Sequence, residues 1–474
     1  MIDNYINDHR PRLENAFQTR REFLNRFGTG FGALGLASLL YPELTHGQQA
    51  QAALLSAKQP PLAAKAKRVL HIFFQGAQTH LDTWDPKPEL KAKAGMGTGD
   101  GKGGMGRELL APQFEFPNYG RSGLQFSEVW SKLAPHADDM AIIRSMHTDV
   151  PAHDEATLLM NTGSFQLPKP SVGSWVTYGL GTENQNLPAF VSLAPGGMPN
   201  AKNWSNSFMP GAFQGTFVNS QNTKIEEIIA NIKSQFTSQS DQRKQLDLLY
   251  QLNELHKQKR QAEAALEARI MSFELAYRMQ TDAAEAFDIA KENEDTRTAY
   301  GNTAQGRQML IARRLLERGV RFVQVWQGGW DTHNGIPQQV GRLAGEIGTG
   351  WSALMTDLKQ RGLFKDTLIV ATTEFGRSPT RDGATGRNHN NKAFSTVLAG
   401  GAIKGGTAYG ATDELGGSAV ENKVHVRDLH ATILHTLGFD PTKLTYKNGA
   451  RDAILIGNND NENEWGKPVM GVIA

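Results

Sequence analysis

Short, unbroken apolar runs dominate the pattern along this chain, and most of them stop at a glycine or a polar cluster. Residues 69–75 (VLHIFFQ) form the first and end at Gly76. A run of that length without polar alternation predicts a strand buried on both faces. Residues 140–145 (MAIIRS), 189–193 (AFVSL), 321–326 (RFVQVW), 367–373 (TLIVATT) and 394–399 predict further strands. Between them lie stretches that read as helices: 154–161, 306–318, 342–360 and 428–437. Gly438 closes the last of these as a C-cap. Strands alternating with helices predict an α/β fold with a doubly wound, mainly parallel sheet.

Two segments depart from that alternation. Residues 91–106 are rich in Gly and Lys and read as a loop. From 223 to about 294 the chain is rich in Glu, Gln, Lys, Leu and Ala, with almost no Gly or Pro. This predicts a helical insertion. Leu246, Leu249, Leu252 and Leu255 recur at three-residue spacing, which marks one packing face.

The N-terminus reads as an export signal. Thr19, Arg20, Arg21, Glu22, Phe23 and Leu24 form a twin-arginine consensus. A weakly apolar, Gly-rich stretch comes next at 27–40, and then Ala50-Gln51-Ala52, a small-x-small cleavage pattern. The apolar run is too short and Gly-rich for a stable membrane span. The expected organisation is a signal peptide at 1–52, a leader at 53–68, and one α/β domain at 69–474 that includes the insertion. The expected location is periplasmic or secreted, with the twin-arginine export machinery as a partner.

Composition narrows the function. The 50 basic and 48 acidic residues leave a net charge of +2, which gives no case for a nucleic-acid or anionic-membrane binder. With no Cys in 474 residues there is no disulfide, no thiolate metal site and no cysteine nucleophile.

In a sheet of this kind ligands bind just beyond the carboxyl ends of the strands. The residues immediately past each predicted strand are therefore the test. Residues 76–85 hold Thr79, His80, Asp82 and Asp85; residues 147–154 hold His147, Asp149, His153 and Asp154. Residues 328–334 bring Asp331 and His333, 374–377 bring Glu374 and Arg377, and 386–391 bring Arg387 and His389. A lone histidine is most often structural. Five such clusters at successive strand ends point to one polar centre. Imidazole with carboxylate is a ligand set for zinc, manganese or iron rather than calcium.

Several of these segments resemble the domain of unknown function 1501 family, grouped with the alkaline-phosphatase and sulfatase superfamily. The resemblance rests on residues 80–88 (HLDTWDPKP), 160–163 (MNTG), 170–175 (PSVGSW), 179–184 (GLGTEN), 374–377 (EFGR) and 428–432 (DLHAT). Residues 366–376 (DTLIVATTEFG) resemble the sulfatase segment that runs along a strand into a metal-binding Asp-His-Gly. Glu374 takes the Asp place and Phe375 the His place. Asp331 and His333 resemble the superfamily's spaced Asp and His, and His389 its later metal-binding His. Residues 153–163 (HDEATLLMNTG) resemble the sulfatase signature, with His153 where the nucleophile stands. The absence of Cys excludes formylglycine chemistry from that residue.

The resemblance implies metal-dependent hydrolysis of phosphate or sulfate esters, on a small molecule or a glycan. It implies one or two divalent ions. Asp331, His333 and His389 would hold the first, and Asp82 with Glu374 the second, a site that Phe375 leaves a ligand short. His153 could attack directly, or serve as a base or ligand, the role favoured by an imidazole's titration range; Thr79 is the other candidate nucleophile. Arg377 and Arg387 are candidates to clamp substrate oxygens. The competing expectation is a non-catalytic protein that binds sulfated or phosphorylated glycans on a degenerate hydrolase fold.

Overall fold

The computed structural model describes residues 55–98, 108–194, 200–222, 228, 238–259, 285–457 and 461–474. The signal expected at 1–52 lies outside the described residues, as do parts of the 91–106 loop and of the 223–294 insertion.

Eleven strands position the site: β1 (Arg68–Phe74), β2 (Met140–His147), β3 (Phe190–Ala194), β4 (Thr216–Asn219), β5 (Phe322–Gln327), β6 (Thr367–Thr372), β7 (Gly376–Asp382), β8 (Gly386–Asn390), β9 (Phe394–Ala399), β10 (Thr407–Tyr409) and β11 (Val424–His425). The helices used below are α1 (His153–Thr162), α2 (Val172–Leu180), α3 (Gln239–Lys259), α4 (Glu294–Tyr300), α5 (Ala304–Glu317), α6 (Ile336–Gln360) and α7 (Val426–Thr436).

Among the described residues the main sheet runs β10-β2-β9-β6-β1-β5-β3-β4, with β11 also paired to β2. Its pairings are parallel except at β9, which runs antiparallel to both β2 and β6. The sheet is thus mainly parallel, as the alternation of apolar runs predicts. β7 and β8 form a separate hairpin that the sequence pattern does not announce, because its residues are mostly polar.

β1 shows why the sheet is buried on both faces. Leu70, Ile72 and Phe74 enter one core cluster, and Val69 and Phe73 the other. Successive side chains point to opposite faces of a strand, so an all-apolar strand needs cover on both sides. α5 and α6 cover the first face with Met309, Leu316 and Trp351. α1, α2 and α7 cover the second with Leu159, Trp175 and Leu434. This is the doubly wound arrangement.

α6 begins at Ile336, six residues before the sequence pattern predicts. Pro337 lies in its first turn, where a missing N–H costs no hydrogen bond. The leucine stripe of α3 behaves differently from expectation. Leu246 is buried, but Leu249 and Leu252 are 39% and 45% exposed. At about 100° per residue, a three-residue spacing drifts by about 60° per step, so such a stripe rotates off any one face. No helix among the described residues is long and apolar enough to cross a membrane.

Two buried histidines give the fold a pH dependence. His71 on β1 accepts a hydrogen bond at Nδ1 from Gln324 (3.2 Å), and His430 on α7 donates from Nε2 to the Met160 carbonyl (2.7 Å). Burial pushes His71 down to about 3, helped by the nearby His430. Burial likewise pushes His430 down to about 4, against the pull of its Met160 hydrogen bond. Below the ordinary value of 6.5 the unfolded chain takes up protons that the folded one refuses. Stability is therefore full above pH 6.5 and falls as the pH drops toward 4, by about 1.4 kcal/mol per unit for each histidine. Urea midpoints measured between about pH 6.5 and 4.5 should decline, and a His430→Gln variant should make that decline shallower. A flat profile would contradict the assignment.

Candidate metal centre

Five segments meet beyond the carboxyl ends of β1, β2, β5 and β6. The loop after β2 delivers His153 as the first residue of α1. It is tied to the segment after β8 by Thr148 N–H to the Asn391 carbonyl (2.9 Å) and Asn391 Nδ2 to the Thr148 carbonyl (3.1 Å). The loop after β5 carries Asp331 and His333. β6 ends just before Glu374, and the β7–β8 hairpin sets His389 opposite Arg377 in register.

Glycine makes the approach of these loops possible. A Cβ on Gly76, at φ +113°, would stand 2.4 Å from the Asp331 nitrogen. One on Gly386 would stand 1.9 Å from the His333 carbonyl oxygen. Only a residue without a Cβ lets the loop after β5 lie against both.

The imidazoles of His153, His333 and His389 all turn Nε2 toward one region. His389 Nε2 is 3.2 Å from His153 Nε2 and 3.1 Å from His333 Nε2. Asp331 Oδ1 lies 3.3 Å from His153 Nε2, 3.1 Å from His333 Nε2 and 3.5 Å from His389 Nε2. One ligand atom each from His153, Asp331 and His389 lie within 4.8 Å of one another.

The opposite ring nitrogens fix the protonation pattern. His153 Nδ1 donates to Glu374 Oε1 (2.7 Å), His333 Nδ1 to Asp382 Oδ2 (2.5 Å) and His389 Nδ1 to the Pro151 carbonyl (2.9 Å). Each partner only accepts, so each Nδ1 carries the proton. A ring in its neutral form then turns its Nε2 lone pair to the same region. These nitrogens and the Asp331 oxygen face one another at 3.1–3.5 Å, and among the described residues around them only Arg377 donates into the group, to Asp331 and toward His333 Nε2 (3.4 Å). The donor atoms His153 Nε2, Asp331 Oδ1 and His389 Nε2 could hold a metal ion. Zinc bonds of about 2.0–2.1 Å place tetrahedral ligand atoms about 3.3 Å apart, which fits these separations.

The surrounding charges support ligand roles. Burial opposes ionisation of Asp331, but the hydrogen bond and charge of Arg377 outweigh it and hold its carboxyl at about 2. Burial lowers His389, assisted by Arg377 and His153, which favours the neutral ring. His153 is pulled the other way. Burial lowers it, but the hydrogen bond and charge of Glu374, with Asp331, raise it overall. Phe375 walls the cluster, with its ring centre 4.9 Å from those of His153 and His389.

The residues singled out from sequence divide into two groups. His153, Asp331, His333, His389 and Arg377 come together. Glu374 stands behind them rather than among them. It is fully buried and accepts from His153, from Gly76 N–H (2.8 Å) and from the Thr373 hydroxyl (3.0 Å). Asp82, Thr79 and Arg387 form another cluster, and it is closed. Arg387 grips Asp82 with Nε (2.7 Å) and Nη2 (3.3 Å), and neither residue is exposed. The Thr79 hydroxyl donates to Asp82 (2.6 Å), and Gln113 N–H donates to its other oxygen (2.8 Å). Asp82 and Glu374 are thus not assembled into a second metal site, and the Thr79 hydroxyl is not presented to substrate. The rest of the 80–88 motif is also structural: Trp84 stacks on Trp130 at 5.1 Å, and Asp85 pairs with Lys87 at 3.2 Å.

Asp382 and the Pro151 carbonyl are the site groups that sequence reasoning missed. Asp382 carries no local signal, because only the hairpin folds it back onto His333.

A family model described as "Protein of unknown function (DUF1501)" matches residues 66–463. No curated protein matches the chain. Among solved structures, the chain is similar to the lipoteichoic acid synthase LtaP from Listeria monocytogenes, at 8% identity and TM-score 0.35, covering 87% of this chain and 80% of that one. It is similar to the sulfatase PsFucS1 from Pseudoalteromonas sp., at 11% identity and TM-score 0.34, covering 84% and 72%. It is also similar to the alkaline phosphatase from the Antarctic bacterium TAB5, at 11% identity and TM-score 0.27, covering 74% and 95%.

Proposed function

We propose, for a chain that belongs to the DUF1501 family, that it is an exported, metal-dependent hydrolase of phosphate or sulfate esters. One observation carries the reading: three imidazoles with committed Nδ1 protons aim their Nε2 lone pairs, beside Asp331, at one region. His153, Asp331 and His389 would hold a divalent ion, with His333 beside them. Zinc suits this donor set best, followed by manganese or iron. A bound ion supplies Lewis-acid polarisation of an ester oxygen.

The chain's own residues do the rest. Glu374 and Asp382 lock the ring planes of His153 and His333 and keep each Nδ1 protonated. Arg377 keeps Asp331 ionised and aimed. Phe375 shields one side from water. With Thr79 sealed against Asp82 and His153 assigned to hold the ion, water would be the nucleophile. The twin-arginine sequence at Arg20 and Arg21 would send the folded protein to the periplasm or beyond.

The second reading is a binding protein on a degenerate hydrolase fold. It draws on the same closure of Thr79 and Arg387. Elemental analysis of protein purified without chelators decides first. About one equivalent of zinc, manganese or iron is expected, together with chelator-sensitive turnover of an aryl phosphate or sulfate ester. Bound metal without turnover would favour the binding reading, and no metal after reconstitution would overturn the centre itself.

A further inference from the structure

We propose that the centre selects ester monoanions, such as phosphodiesters and sulfate monoesters, over phosphate monoester dianions. This rests on the reading of the site as an ester hydrolase. The argument begins with the donors of the two arginines. A guanidinium has five N–H groups. Arg377 gives Nε to the Ala77 carbonyl (2.9 Å), Nη1 to the Arg387 carbonyl (3.1 Å) and toward His333 Nε2 (3.4 Å), and Nη2 to the Gly76 carbonyl (2.6 Å) and to Asp331. Arg387 gives Nε and Nη2 to Asp82, Nη2 also to the Ala111 carbonyl (3.0 Å), and Nη1 to the carbonyls of Pro379 (3.2 Å) and Ser378 (3.4 Å).

Every donor is assigned, and both side chains are fully buried. Neither arginine can turn to clamp a phosphoryl group without abandoning buried carbonyls.

Charge counts the same way. Asp331, Glu374 and Asp382 stand against Arg377, so a divalent ion brings the centre only to neutrality. The rim is acidic. Asp154 and Glu155 are exposed in the first turn of α1, directly after His153, and line a neighbouring groove whose one cationic side chain is Lys202. A neutral centre with an acidic rim tolerates one negative charge on the substrate better than two. Phosphate monoesters carry close to two charges at about pH 8, since their second pKa is about 6. Phosphodiesters and sulfate monoesters carry one. In the reaction the oxygen of water bonds to phosphorus or sulfur, and the bond to the ester oxygen breaks. The alcohol leaves, and the two protons of water are shared between product acid, alcohol and solvent.

The test uses the metal-loaded full chain. Turnover of bis-p-nitrophenyl phosphate and p-nitrophenyl sulfate is compared with that of p-nitrophenyl phosphate, and calorimetry compares binding of diphenyl phosphate with phenyl phosphate. The monoanions are expected to be favoured by about tenfold or more in kcat/KM and in affinity, the scale of one added charge in a partly screened site. An Asp154→Asn/Glu155→Gln variant is expected to narrow that ratio. Equal or better binding and turnover of the dianions would overturn the proposal, as would a failure of both probes to bind. Binding selectivity without turnover would uphold the charge argument while overturning the hydrolase reading.

Discussion

His389→Ala is expected to abolish metal retention while leaving the fold intact. This variant is the cleanest of the four available. Removing Asp331 would strand the buried guanidinium of Arg377, and removing His153 would strip a partner from the buried Glu374. Removing His389 leaves unpaired only the Pro151 carbonyl, which lies in an exposed loop that water can reach. The loss is nonetheless central, because His389 Nε2 is the nitrogen within 3.2 Å of both other rings. Metal affinity should fall by more than about 100-fold, beyond the range for losing an outer partner. Glu374→Gln supplies the graded comparison. It keeps the shape but weakens the acceptor that fixes the His153 tautomer, so affinity should fall by about 10–100-fold. Metal titration with unfolding curves on both variants checks this. Wild-type affinity in His389→Ala would remove that residue from the centre.

Asp82→Ala is expected to cost more stability than any other single change near the site. Asp82 and Arg387 are both fully buried and joined through two nitrogens. Truncating the carboxylate leaves a buried guanidinium without its counter-charge, at a cost of about 3–5 kcal/mol. The Thr79 hydroxyl and the Gln113 N–H lose their acceptor as well. A replacement of the pair by two apolar residues should recover only part of that loss, because it removes the stranded charge but leaves the carbonyls of Ala111, Ser378 and Pro379 without their donor. Urea unfolding of the single and double variants measures both. A single variant that unfolds like the wild type would mean that the ion pair is not closed to water.

These two clusters also show how far the residues alone could be read. His153, Asp331, His333 and His389 stand out because each comes after an apolar strand in a fold whose ligand face lies at those strand ends. Asp82, Thr79 and Arg387 stand out by the same rule, yet they face one another instead. Nothing local separates the two groups. Their partners are distant in sequence: His153 meets Glu374 across 221 residues, and Arg387 meets Asp82 across 305. Arg377 shows a further limit. Its type suits a substrate clamp, and only the buried carbonyls around it reveal that its donors are already used.

The α/β alternation and the strands β1, β2, β3, β5, β6 and β9 were readable from residue order alone. They arise from local periodicity and from apolar runs that need burial on both faces. The absence of thiol chemistry was equally plain, because composition decides it. The antiparallel course of β9, the polar hairpin, and the division of charged residues between the ligand face and one another emerged only in three dimensions. Those outcomes depend on long-range pairing, where a carboxylate or a guanidinium is committed to whichever partner the fold brings within about 3 Å.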